Sequence, residues 1–197
     1  MASWIGNLLA YTKLLPRLSG IAHSLKRGTN LVLESNEAHN RSIYHLHQEL
    51  EVAIDYKKVF PVCRKILAAY EELYREGLPY PIFEVRFTPG GHDRALIGPG
   101  RRRRSAWIDI ICCDSPGFEL YYERAEAIFK VAGGRPHLGK YCRSYGKEDL
   151  FSAYGRDFQR FLELVDEHDP DGKFANDFTE RKFGARSNNQ ANQIDRT

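Results

Sequence analysis

The chain contains no uninterrupted apolar run near the ~20 residues a helix needs to cross a bilayer. It lacks a strong excess of either charge. Across 197 residues, 29 Lys and Arg stand against 26 Asp and Glu, and a net charge of +3 gives no footing for nucleic acid as a partner. Its four cysteines, Cys63, Cys112, Cys113 and Cys142, lack metal-ligand spacing, and no metal is expected. Cys112 and Cys113 are neighbours, so on a strand they point to opposite faces. All four read as reduced thiols of an intracellular protein. Internal repeats are absent.

Acid is missing altogether from residues 1–33, whereas Lys13, Arg17, Lys26 and Arg27 are basic. Trp4, Ile5, Leu8, Leu9 and Leu15 can share one apolar helical face there. Two readings stand: an arm packed on the domain, or a transit peptide or interfacial membrane helix. The localisation expected is cytoplasmic or peripheral to a membrane, with mitochondrial targeting left open.

What is present is an ordinary globular balance, 42% hydrophobic and 28% charged, enough to bury a core. Residues 1–41 read as a basic amphipathic arm and linker, 42–186 as one domain, and 187–197 as a disordered tail rich in Asn and Gln. From Ser42 a period-two pattern predicts a strand. Tyr44, Leu46, Leu50, Val52 and Ile54 lie on one face, and His45, His47, Glu49 and Glu51 on the other. Apolar residues at helical spacing predict a helix over 56–76, with Gly77 as its stop. Strands are predicted at 82–88 and 105–113. A helix follows, capped by Ser115 with Pro116 at its first position and stopped by Gly133-Gly134. A short strand at 137–142 and a long helix over 148–168 complete the order. This is the split βαβ arrangement: an α+β, ferredoxin-like antiparallel sheet with helices on one face, plus an N-terminal helical arm and a C-terminal helix.

Several local patterns carry two readings each. Glu84 and Arg86 share a strand face opposite Phe83, Val85 and Phe87, and that face meets either solvent or a site. The segment Arg135-Pro136-His137-Leu138-Gly139-Lys140 is either an exposed connection or a basic cluster that places a lysine in a cavity. Arg101 to Arg104 read as a solvated loop rather than a phosphate contact. Residues 166–174 read as a helix stop and tight turn, since their spacing does not fit a calcium loop. His45, His47 and Glu49 alternate with the spacing of metal ligands on one strand face, but no further ligand follows at recognisable spacing.

Taken in order, Glu49-Leu50-Glu51, Glu84-Val85-Arg86, Arg135 to Lys140 and Asp169-Pro170-Asp171-Gly172-Lys173-Phe174-Ala175-Asn176-Asp177 resemble one family. Residues 42–184 are similar to the C-terminal domain of the D-arabinono-1,4-lactone, L-gulonolactone and alditol oxidases, flavoproteins of the vanillyl-alcohol-oxidase type. The resemblance implies FAD as cofactor and a sugar lactone or polyol as substrate, oxidised by hydride transfer to the flavin with oxygen as acceptor. It implies Lys140, Glu84 and Arg86 as catalytic residues. Glu84, Arg86 and His137 would bind substrate, and Lys140 and Asn176 would meet the cofactor. Leu138 stands where that family segment usually has Trp. No glycine-rich pyrophosphate loop precedes Ser42, so the expectation is a substrate-side domain that is a fragment, a truncated gene product or one half of a split enzyme served by a separate FAD-binding chain, with peripheral membrane contact as a compatible reading. The alternative is a non-catalytic remnant that acts as an interaction or small-molecule-binding module.

Overall fold

The computed structural model of the protein describes residues 46–90 and 93–184. The readings made for the N-terminal arm, for His45 and for the C-terminal tail lie outside these residues. Strand β1 (His47–Asp55) leads through a 3₁₀ turn, Tyr56–Lys58, into α1 (Val59–Arg75). Next come β2 (Ile82–Thr88), β3 (Ser105–Cys113), α2 (Phe118–Val131) and β4 (Arg135–Pro136). Three further helices follow: α3 (Lys147–Tyr154), α4 (Arg156–His168) and α5 (Asp177–Phe183). The sheet order is β2-β3-β1-β4, and every neighbouring pair is antiparallel. This is the α+β arrangement expected from the sequence.

Period-two alternation divides the sheet. Leu50, Val52 and Ile54 of β1 and Ala106, Ile108, Ile110 and Cys112 of β3 enter the core. Residues of α1 and α2 cover that face, among them Ile66, Tyr70, Tyr122 and Phe129. Buried phenols need partners. Tyr70 donates to the Tyr121 carbonyl at 3.0 Å, and Tyr122 donates to the Gln48 carbonyl. The four thiols are free, and burial pushes Cys112 up to about 12 and Cys142 up to about 11.

Several sequence expectations shift. Helix α2 starts at Phe118 rather than beside Pro116. The Ser115 side chain donates to the Cys113 carbonyl, and Gly117, at φ 87°, takes the cap position. The long helix over 148–168 is two helices, because Gly155 at φ 56°, ψ −125° adopts a conformation open essentially to glycine alone. Helices α3, α4 and α5 gather around a smaller core of Leu150, Tyr154 and Phe158. Leu138 packs against both cores.

The arginine run is not a solvated loop throughout. Arg101 pairs with Asp157 at 2.6 Å, while Arg103 donates to the carbonyls of Ala53 at 2.6 Å and Gly133 at 3.0 Å. Arg104 lies over the Tyr56 ring at 4.7 Å, and Arg102 remains largely exposed. Residues 169–174 form the expected tight turn, with the Asp169 carboxylate accepting from the amides of Lys173 and Phe174. Among the described residues, no helix is long and apolar enough to cross a membrane.

Candidate functional site

The sheet face turned away from α1 and α2 carries an unusual row. Strand register sets Glu51 opposite Asp109, and Asp109 opposite Glu84, so three carboxylates stand side by side across β1, β3 and β2. Cross-strand neighbours lie ~5 Å apart, where like charges repel by about 3 kcal/mol per pair at an effective dielectric of 20. Glu51 is 2% exposed and Asp109 5% exposed, so solvent screens them little. Such a row requires cations.

Two arrive from opposite sides. Arg86, two residues along β2 from Glu84, pairs with Glu51 and reaches Glu84 at 3.5 Å. Lys140 comes from beyond β4. Its ammonium sits 2.7 Å from Glu49, 2.7 Å from Asp109 and 3.3 Å from Glu51. Glu51 thus touches both cations and links them. His47 Nε2 lies 3.2 Å from Glu49, at the end of the cluster.

The local chain path explains how Lys140 gets there. The fourth strand is Arg135–Pro136, upstream of the expected 137–142, and it pairs with Val52 and Ala53. Beyond it, the His137 and Tyr141 amides still donate to the Glu51 and Glu49 carbonyls, each at 2.8 Å. An advance of four residues on one side therefore matches an advance of two on the other. The excess folds into a turn closed by the Lys140 amide on the His137 carbonyl at 3.1 Å. A strand would have alternated Leu138 and Lys140 onto one face. The turn instead lets Leu138 pack against both cores and Lys140 cross the open face.

Charge state follows from these contacts. Burial works against the Lys140 ammonium, but the hydrogen bonds it donates to Asp109 and Glu49 outweigh it and hold its pKa above the ordinary lysine value. Burial pushes the Asp109 carboxyl up, against the opposing pull of Lys140. One Asp109 oxygen, Oδ1, is buried without a hydrogen-bond partner. The Lys140 hydrogen bond is the main influence on Glu49, and it holds that carboxyl below its ordinary 4.5. A carboxylate with a depressed pKa contributes stability that is present above its ordinary value and lost as pH falls through the depressed one. Glu49→Gln is therefore expected to lose about 1 kcal/mol at neutral pH. Urea denaturation should show the difference closing as the pH drops below the ordinary carboxyl range.

Of the residues expected from the sequence, Lys140, Glu84 and Arg86 do come together on this face. His137 does not join them through any side-chain contact: its exposed ring accepts the Gly139 amide at 3.1 Å and shapes the turn. Asn176 is also elsewhere. Its side-chain oxygen caps α5 by accepting from Phe178 and Thr179, and its amide donates to the Phe174 carbonyl. Asp109 was missed, although a lone acid in the run Ala106 to Cys113 is the kind of buried polar residue that asks for an explanation. Among the described residues no His, Cys, Asp and Glu group is arranged to hold a metal.

A family model for D-arabinono-1,4-lactone oxidase matches residues 2–182. The chain belongs to the D-arabinono-1,4-lactone oxidase family. It is 36% identical over 108 residues to L-gulonolactone oxidase of Bos taurus, covering 53% of this chain and 23% of that protein. Identity to L-gulonolactone oxidase of Scyliorhinus torazame is 35% over 108 residues, with the same coverage. To L-gulono-1,4-lactone dehydrogenase of Mycobacterium tuberculosis it is 33% over 112 residues, covering 56% of this chain and 25% of that protein. The matched stretch spans about a quarter of the length of these relatives.

The resemblance to this family implies FAD, and the donor set fits only part of it. Lys140 and Arg86 suit the polar edge of a flavin ring. Glu49, Glu51, Glu84 and Asp109 outnumber the two cations and would repel the diphosphate. Beside Lys140, His47, Gln48, Glu49, Gly139 and Tyr141 line an open polar depression of about 480 Å³.

Proposed function

We propose that this chain is the substrate-side domain of an FAD-dependent aldonolactone oxidase, and that the open sheet face binds a 1,4-aldonolactone or related polyol. The observation behind this reading is the convergence of Lys140, Arg86 and Glu84 around the buried pair Glu51 and Asp109. A polyhydroxylated lactone offers hydroxyls that both donate and accept, plus one carbonyl that accepts. The face supplies both kinds of partner. Glu84 is partly exposed, and its ion pair with Arg86 is long at 3.5 Å, leaving it able to accept from a substrate hydroxyl. Arg86, about half exposed, can donate to the lactone carbonyl or a ring hydroxyl. Lys140, kept protonated by Asp109 and Glu49, stabilises negative charge at the oxygen of the carbon being oxidised.

Flavin bound by a separate segment would supply the two-electron acceptor, and oxygen is the terminal acceptor in this reading. The chain's own residues orient the donor carbon, hold its hydroxyl and fix the protonation state of Lys140. Calorimetric titration of the full chain with L-gulono-1,4-lactone tests the assignment. Glu84→Gln and Arg86→Met should each weaken binding about tenfold or more, as expected for hydrogen bonds to charged groups. Unchanged affinity in both variants would remove the lactone from this face.

A further inference from the structure

A second concave surface shares no lining residue with the carboxylate cluster. Between α4 and α5 lies a groove of about 440 Å³ whose apolar lining includes Phe161, Leu164, Val165, Phe174 and Phe183. Helix α4 is apolar on two sides. Phe158 is wholly buried in the small core, whereas Leu164 and Val165 stay half-buried along the groove. Phe174 is 72% exposed. A contiguous apolar surface of this kind marks an interaction site. Its surroundings are acidic: residues 163–180 carry seven Asp and Glu against Lys173 alone, and Asp169 and Glu180 line the groove itself.

The occupant must therefore be apolar and basic. The chain's own ends can be compared. The C-terminal continuation leaves from Gly184, which lines the groove, but residues 185–197 offer a single large apolar side chain, Ile194. The N-terminal residues offer Trp4, Ile5, Leu8, Leu9 and Leu15, with Lys13 and Arg17 and no acid before Glu34. Reach is ample, because the residues between Arg17 and Leu46 can extend by about 90 Å. We propose that the N-terminal segment, residues 4–17, docks into the α4–α5 groove, placing its leucines and Trp4 on the phenylalanine floor and its basic side chains against the acidic surround. The arm would then be part of the folded domain rather than an anchor for another surface.

The chain has two tryptophans, Trp4 and Trp107, so Trp107→Phe in the full chain leaves Trp4 as a reporter. Docking predicts blue-shifted Trp4 emission and severalfold weaker acrylamide quenching than for N-acetyltryptophanamide. Leu164→Arg, in the groove, and Leu8→Asp, in the arm, should each restore quenching to that of the free reference. Leu8→Asp should do so with unchanged far-ultraviolet circular dichroism. Where Leu164→Arg unfolds the domain, Glu180→Lys is read in its place and should also release Trp4. Full quenching of Trp4 in the parent protein overturns the proposal. So does protection that survives both groove variants, or protection that appears only when anionic phosphatidylserine vesicles are added.

Discussion

Lys140→Met is expected to cost about 3 kcal/mol of stability at neutral pH, the scale for breaking a buried ion pair, and to abolish lactone binding. The ammonium contacts Glu49, Asp109 and Glu51 together, and the last two are almost wholly buried. Among the described residues, its removal leaves Arg86 as the one Lys or Arg paired with the row, through Glu51 and Glu84. The sign of the pH dependence follows from the shifts. Lys140 has a raised pKa, so its contribution is fully present below the ordinary lysine value of 10.5 and is lost as pH rises through the raised one. In the variant, the carboxylates can relieve the repulsion only by taking up protons. Asp109, already pushed up by burial, should do so first. Denaturation of both proteins at neutral and mildly acidic pH should therefore show the largest gap at neutral pH, narrowing as the solution is acidified. A constant gap would mean that Lys140 acts through packing alone.

Gly134→Ala should also be severe, though its origin is steric. A methyl group there would lie 2.7 Å from Val52 Cγ1, 2.9 Å from the Phe129 carbonyl oxygen and 3.1 Å from Phe129 Cβ. The Phe129 carbonyl already accepts the Gly134 amide at 2.8 Å, so the backbone cannot step aside without losing that bond. Overpacking at such a junction costs about 2–3 kcal/mol. For a domain of this size that corresponds to a fall in Tm of roughly 10 °C. The shift would pass to Arg135 and Pro136, whose pairing with β1 sets the turn that presents Lys140. Thermal denaturation and lactone titration of the same variant should both register the change.

Much of the frame was legible because long elements alternate cleanly. The bounds 82–88 and 105–113 for β2 and β3 match the structure, and the parity of β1 correctly opposed Glu49 and Glu51 to Leu50, Val52 and Ile54. Short elements were not legible. Strand β4 has two residues and follows from pairing with β1 rather than from any pattern of its own. Helix α5 has seven, too few to show a stripe. The division of the expected helix over 148–168 was not legible either, since the backbone conformation of Gly155 makes the break.

The candidate site divides in the same way. Lys140, Glu84 and Arg86 entered through family resemblance, and strand parity alone put Glu84 and Arg86 on one face. Asp109 and the bridging position of Glu51 depend on register between strands distant in sequence, which periodicity within one strand does not contain. Asn176 illustrates the converse. It belongs to the matching ending, yet in the structure its side chain is committed to capping a helix.

The most direct test of lactone binding at the carboxylate face is backbone amide chemical-shift mapping of the full chain titrated with L-gulono-1,4-lactone. Perturbations should concentrate at Glu49 to Ala53, Glu84 to Arg86, Asp109 and His137 to Tyr141, and be lost in Lys140→Met. Perturbations confined to the α4–α5 groove, or a spectrum that does not respond to the lactone, would contradict binding at that face.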